Sequence, residues 1–168
     1  MCSYSLDLTD TDVCDIPDNG CVYGNLIVTD KCELTIGINV MIYGDLELYN
    51  PRLTKLPDGL TVYGSLSLSK SPNIKKLGVN TTIQHDLVFV KSRIEKVPEN
   101  LIVHGKVHLG LAPFSTTSPT SKFFGEVQIQ GCPDFVFPNR YKIYGDLICT
   151  ETTYVPPADL IVCGKIVK

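Results

Sequence analysis

The sequence predicts an all-β fold, a parallel β-solenoid of about eight coils of roughly twenty residues, and three observations carry that prediction. The first is a repeated phrase: VYGNLIV, IYGDLEL, VYGSLSL, IQHDLVF, VHGKVHL, FFGEVQI, IYGDLIC and VCGKIVK, beginning at Val22, Ile42, Val62, Ile83, Val103, Phe123, Ile143 and Val162. Its third position holds Gly24, Gly44, Gly64, His85, Gly105, Gly125, Gly145 and Gly164, in steps of 20, 20, 21, 20, 20, 20 and 19 residues. The second is a chain breaker upstream of that position, an apolar residue followed by Pro: Ile16-Pro17, Leu56-Pro57, Val97-Pro98, Phe137-Pro138 and Pro156-Pro157, with Gly37 and Gly78 standing in for Pro in two other coils. The third is a period of two: Leu60, Val62, Leu66 and Leu68 share one parity while Thr61, Ser65 and Ser67 take the other. That alternation belongs to a strand with one buried face.

In chain order, residues 1–20 read as an N-terminal cap and first partial coil of a single domain spanning 1–168. Turn residues follow each breaker, as in Pro17-Asp18-Asn19-Gly20 and Pro57-Asp58-Gly59, so the coil bends there. Stacked coils place equivalent residues ~4.8 Å apart. Val22, Ile42, Val62, Ile83, Val103, Phe123, Ile143 and Val162 then form one inner column; Leu26, Leu46, Leu66, Leu87, Val107, Val127, Leu147 and Ile166 form another. No coil buries these residues alone, and stability comes from its neighbours. The repeated Gly marks where the backbone turns a corner or approaches the next coil closely. The Ser, Thr and Pro content of 112–121 predicts a loop leaving the wall, which is where scaffolds often carry function. Lys165 and Lys168 at the last strand discourage uncontrolled stacking, with a homodimer through that edge as the alternative.

Composition narrows the function. An apolar content of 43% supplies a continuous core. A formal charge of -3 and a pI near 5.5 lack the basic footprint of a nucleic-acid binder. MCSYSLDLTD has neither the basic nor the apolar region of a secretory signal, and no apolar run reaches the ~18 residues of a membrane span. The expectation is a cytoplasmic protein without a membrane partner. Seven cysteines, none in a CxxC pair, fit reduced thiols, and His104 and His108 have no matching Cys pair, so neither metal nor cofactor is expected. Asn80-Thr81-Thr82 matches the glycosylation pattern, which matters only after secretion.

The coil LTKLPDGLTVYGSLSLS resembles the short, helix-free leucine-rich-repeat-like coils of bacterial and phage proteins, built on LPxxLxVxGxLxL units. More distantly, it is similar to the twenty-residue repeats of secreted bacterial effectors, although it adds a Gly corner and lacks their Asn ladder position. The resemblance covers nearly the whole length and offers both a leucine-rich-repeat-like and a β-helix-like form of the solenoid. It implies a protein-binding scaffold, specifically a phage-encoded inhibitor of a host protein or defence system.

The residues themselves supply the candidate sites. The position before the Gly holds Tyr23, Tyr43, Tyr63, Gln84, His104, Phe124, Tyr144 and Cys163, which strand parity points outward. Such a ladder either stacks on itself, partly buried, or forms a binding stripe. Up to Asn50, nine acidic side chains against Lys31 alone give a balance of -8, leaving +5 for the rest of the chain. Asp10, Asp12, Asp15 and Asp18 are accordingly either a solvated acidic cap or a lure for a basic partner. Catalytic groups do not converge: Asp45, Asp86 and Asp146 share the position after the Gly but are ~10 Å or more apart, and His85, His104 and His108 have no nucleophile motif beside them. The expected function is a non-enzymatic scaffold that binds a protein. A carbohydrate-binding or carbohydrate-cleaving solenoid that stacks sugars on the Tyr stripe and a self-assembling structural subunit are the alternatives.

Overall fold

The computed structural model describes residues 3–8, 13–49, 51–113, 115–132, 134–150 and 154–168, and among them there is no helix. The chain is a parallel β-solenoid of about seven turns, slightly fewer than the eight counted from the repeat. One eight-residue strand, Cys21–Val28, runs the length of the repeated phrase and pairs with Ser3–Leu8 on one side. On its other side the phrase splits at the Gly into two ladders. A short-strand wall continues through Met41–Ile42, Thr61–Val62 and Thr82–Ile83 to Ile161–Val162. A second wall continues through Leu46–Tyr49, Leu66–Lys70 and Leu87–Val88 to Ile166–Val167.

The third wall lies just before the breaker. It opens with Val13–Ile16 paired to Glu33–Ile36 and continues as single bridges, Lys55 to Lys76, Lys96 to Thr116 and Thr116 to Val136. Within the segment expected to leave the wall as a loop, Ser115 and Thr116 are paired into it. The Ser115 N–H donates to the Glu95 carbonyl at 3.1 Å and the Val136 N–H to the Ser115 carbonyl at 3.0 Å. Thr117 and Ser121 are buried within the coil, where Phe123 meets Tyr141 edge-on.

Apart from shifts between Tyr4 and Leu6 and between Glu47 and Tyr49, pairing in the two main walls is in register, so like stacks on like. Val22, Ile42, Val62, Ile83, Val103, Phe123 and Ile143 form one buried column, and Leu26, Leu46, Leu66, Leu87, Val107, Val127 and Leu147 another. Each such side chain contributes on the order of 1.5–3 kcal/mol by leaving water. In the C-terminal half aromatic rings replace part of the aliphatic filling: Phe135 meets Phe137 edge-on at 4.8 Å and Phe137 stacks on Tyr141 at 5.1 Å. Ile166, which continues the Leu147 column, is 50% exposed.

Two corners are built from polar ladders. At the breaker turn, Asn19, Asn39, Asn80, Asn100 and Arg140 adopt φ of 55–57°, and Gly59 holds the same place at 73°. Asparagine tolerates this left-handed conformation better than other side chains. The Asn39 amide donates to Asn19 at 3.3 Å and the Asn100 amide to Asn80 at 2.8 Å. Asparagines thus pair across coils at the breaker turn, a place distinct from the ladder position of the effector repeats. At the other corner the repeated Gly serves close approach. A Cβ on Gly125 would overlap the Gly105 carbonyl, and one on Gly145 the Gly125 carbonyl, both backbone atoms with no freedom to move aside. Only Gly24 in this column also has a positive φ, 101°.

Gly125→Ala should therefore destabilise the protein by about 2–4 kcal/mol in urea unfolding, because two backbones must separate. Gly110→Ala, whose added methyl would meet only the side chains of Val90 and His108 at 3.3–3.4 Å, should cost less than about 1 kcal/mol.

Candidate functional site

The Gly corner throws the preceding residue outward, and stacking of coils turns that residue into a ridge. Tyr23 and Tyr43 have ring centroids 4.8 Å apart with planes inclined by 15°, and Tyr43 and Tyr63 are 4.8 Å apart and inclined by 1°. Gln84 interrupts the row. It resumes with His104 on Phe124 at 5.0 Å and Phe124 on Tyr144 at 4.8 Å. The Lys142 ammonium sits 4.5 Å from the Tyr144 centroid. These are offset stacks worth about 0.5–1.5 kcal/mol each beyond area burial. Exposure runs from 38% at Phe124 to 43% at Tyr23, so the rings are at once self-stacked and accessible. Within the rows Tyr43 and Phe124 each carry a stacked ring on both faces.

The acidic candidates are divided. Asp10 and Asp12 lie outside the described residues. Asp15 accepts a hydrogen bond from the Thr35 hydroxyl, and Asp18 accepts one from the Ile38 N–H at 2.8 Å. Both carboxylates remain exposed while serving the next coil. The acids after the Gly behave alike. Asp45 accepts from the Ser65 N–H at 2.7 Å, Asp86 from the Lys106 N–H at 2.8 Å and Asp146 from the Lys165 N–H at 2.7 Å, while Asn25 does the same for the Asp45 N–H at 2.9 Å. These carboxylates bind one coil to the next. Among the described residues, no three His, Cys, Asp or Glu side chains are placed to hold a metal ion.

A cleft on the third wall went unnoticed in the sequence. Lys55, Lys75, Lys76 and Lys96 border about 360 Å³ together with Asp58, Glu95, Leu77, Val79 and Pro98. Lys55 is 3.1 Å from Asp58, which also accepts a 3.1 Å hydrogen bond from the Val79 N–H. The Lys55 hydrogen bond holds the Asp58 carboxyl below its ordinary value, opposed by burial and supported by the Val79 N–H and the Lys55 charge. Among the described residues, none of Lys75, Lys76 and Lys96 is in an ion pair. The available signal was the residue before each apolar-breaker pair, where Lys55, Lys76 and Lys96 recur at the coil period.

The cysteines differ from expectation at one place. Cys14, Cys32, Cys132, Cys149 and Cys163 are free thiols, but Cys21 is disulfide-bonded, so reduced thiols throughout is incorrect. Burial pushes the Cys14 and Cys149 thiols up, away from nucleophilic reactivity. No described helix is long and apolar enough to cross a membrane.

The fold and its surfaces define a helix-free parallel β-solenoid with an aromatic corner ridge and a lysine-bordered cleft. No protein-family model matches the chain, and no curated protein or solved structure matches it.

Tyr43→Ala removes two ring stacks and should lower stability by about 1–3 kcal/mol in thermal unfolding, whereas Tyr43→Phe should cost less than about 0.5 kcal/mol. Because the folded Asp58 carboxyl lies below its unfolded value, its stabilisation is complete above the ordinary carboxylate range and fades as pH falls through the lowered value. The Val79 amide proton should report this by NMR, titrating with a midpoint below the ~3.9 of a free aspartate, and Asp58→Asn should abolish that titration.

Proposed function

We propose that this protein is a non-enzymatic scaffold that binds a protein partner along its aromatic ridge. The observation behind this reading is the coexistence of order and exposure in Tyr23, Tyr43, Tyr63, His104, Phe124 and Tyr144. Stacking fixes the rings before any partner arrives, so little side-chain entropy is lost on binding. Stacked, exposed tyrosines supply the contact area and hydrogen bonds typical of interface hot spots. The resemblance to leucine-rich-repeat-like coils of bacterial and phage proteins points the same way, toward an inhibitor of a host protein.

Sugar recognition is less well served, because pyranose rings stack on aromatic faces and here the faces largely cover one another. Nor do the acids favour catalysis. Asp45, Asp86 and Asp146 are spent on backbone N–H groups of neighbouring coils.

Affinity capture from cells expressing the protein should recover a defined partner with the natural chain, and a Tyr43→Thr, Phe124→Thr double variant with native circular dichroism should lose it by about tenfold or more. Equal recovery by both chains, or no partner at all, would count against the ridge.

A further inference from the structure

The cleft on the third wall points to a ligand that the ridge has no part in. We propose that Lys55, Lys75, Lys76 and Lys96 form a binding site for a phosphate monoester, with its organic part against Leu77, Val79 and Pro98.

Charge sets the valence of the ligand. The four lysines face two carboxylates, Asp58 and Glu95, leaving a surplus of two positive charges. A phosphate monoester carries about 1.5–2 negative charges at neutral pH and matches that surplus. In-register stacking places Lys55 beside Lys76, and Lys76 and Lys96 occupy the same position of consecutive coils. Like charges at such spacing repel, an arrangement that an anion between them would relieve.

Donor chemistry selects phosphate over carboxylate. The cleft has no arginine, whose planar fork pairs with a planar carboxylate. Lysine ammonium groups act as mobile point charges and can converge on a tetrahedral dianion.

The wall limits the length of the ligand. Its outward row reads Asp15, Thr35, Lys55, Lys76, Lys96, Thr116 and Val136, basic over three coils only, flanked by Thr35 and Thr116 and then acidic at Asp15. A long polyanion running along the rod would leave the lysines after ~10 Å. A volume of about 360 Å³ lies at the lower end of small-ligand sites and suits one compact ester. The partly exposed Val79 and Pro98 give that ester an apolar surface that free phosphate could not use.

A phosphorylated metabolite and a phosphorylated side chain of a protein share this chemistry, and calorimetric titration of the full chain can tell them apart. The probes are adenosine monophosphate, a short phosphoserine peptide and inorganic phosphate. At least one ester should saturate with a submillimolar Kd and exceed inorganic phosphate in affinity, and the tighter ester identifies the source. A Lys76→Gln, Lys96→Gln double variant should weaken that ester by about tenfold or more, and Val79→Asp, which adds a carboxylate to the apolar wall, should do likewise. The Tyr43→Thr, Phe124→Thr variant should bind it unchanged, which separates this site from the ridge. The proposal is overturned if neither ester saturates by about 5 mM. It is also overturned if both cleft variants bind like the natural chain, or if only single-stranded oligonucleotides bind, with affinity rising with length. Equal affinity for inorganic phosphate would remove the apolar wall from the site.

Discussion

Everything in this molecule follows from backbone hydrogen bonds that hold consecutive coils in register. The Thr61 N–H donates to the Val40 carbonyl at 2.9 Å, the Thr82 N–H to Leu60 at 2.9 Å and the Lys122 N–H to Leu101 at 2.8 Å, the same bond made coil after coil. Once that register is set, a residue's neighbours are its equivalents one repeat away. A column of aliphatic side chains becomes a core, a column of tyrosines becomes a stack and a column of lysines becomes a concentrated charge.

Register also explains why apparently reactive groups serve structure. A corner leaves backbone N–H groups without a strand partner, and leaving one buried and unpaired costs about 1–3 kcal/mol. Asn25, Asp45, Asp86 and Asp146 answer that need at one corner, and Asp18 and Asp58 at the other. Ser65 takes the same role with a hydroxyl, accepting from the Asp86 N–H at 3.3 Å. The interchange of Asn, Asp and Ser in one column reflects a requirement for an acceptor, with charge incidental.

The two candidate surfaces differ in how they arise. The ridge occupies a corner whose glycines cannot bear side chains, so the bulk of the preceding residue projects outward without opposition. The cleft lies on the wall with the sparsest pairing, where isolated bridges replace continuous strands beyond Glu33–Ile36. One surface is a row of exposed stacked rings, the other a cleft bordered by charge.

The sequence by itself determined the helix-free solenoid, its period and its inner columns, because periodicity is a property of order along the chain. It also marked the row from Tyr23 to Tyr144. Only the tertiary structure decided that those rings stack and stay exposed, since parity cannot fix how a side chain leaves a corner. Likewise, composition made Ala112 to Ser121 read as a loop, whereas the neighbouring coils hold Ser115 and Thr116 in the wall through Glu95, Lys96 and Val136. The lysine cleft was least legible of all. Its members are spread from Lys55 to Lys96, and what unites them is a distance across coils that no local window of sequence contains.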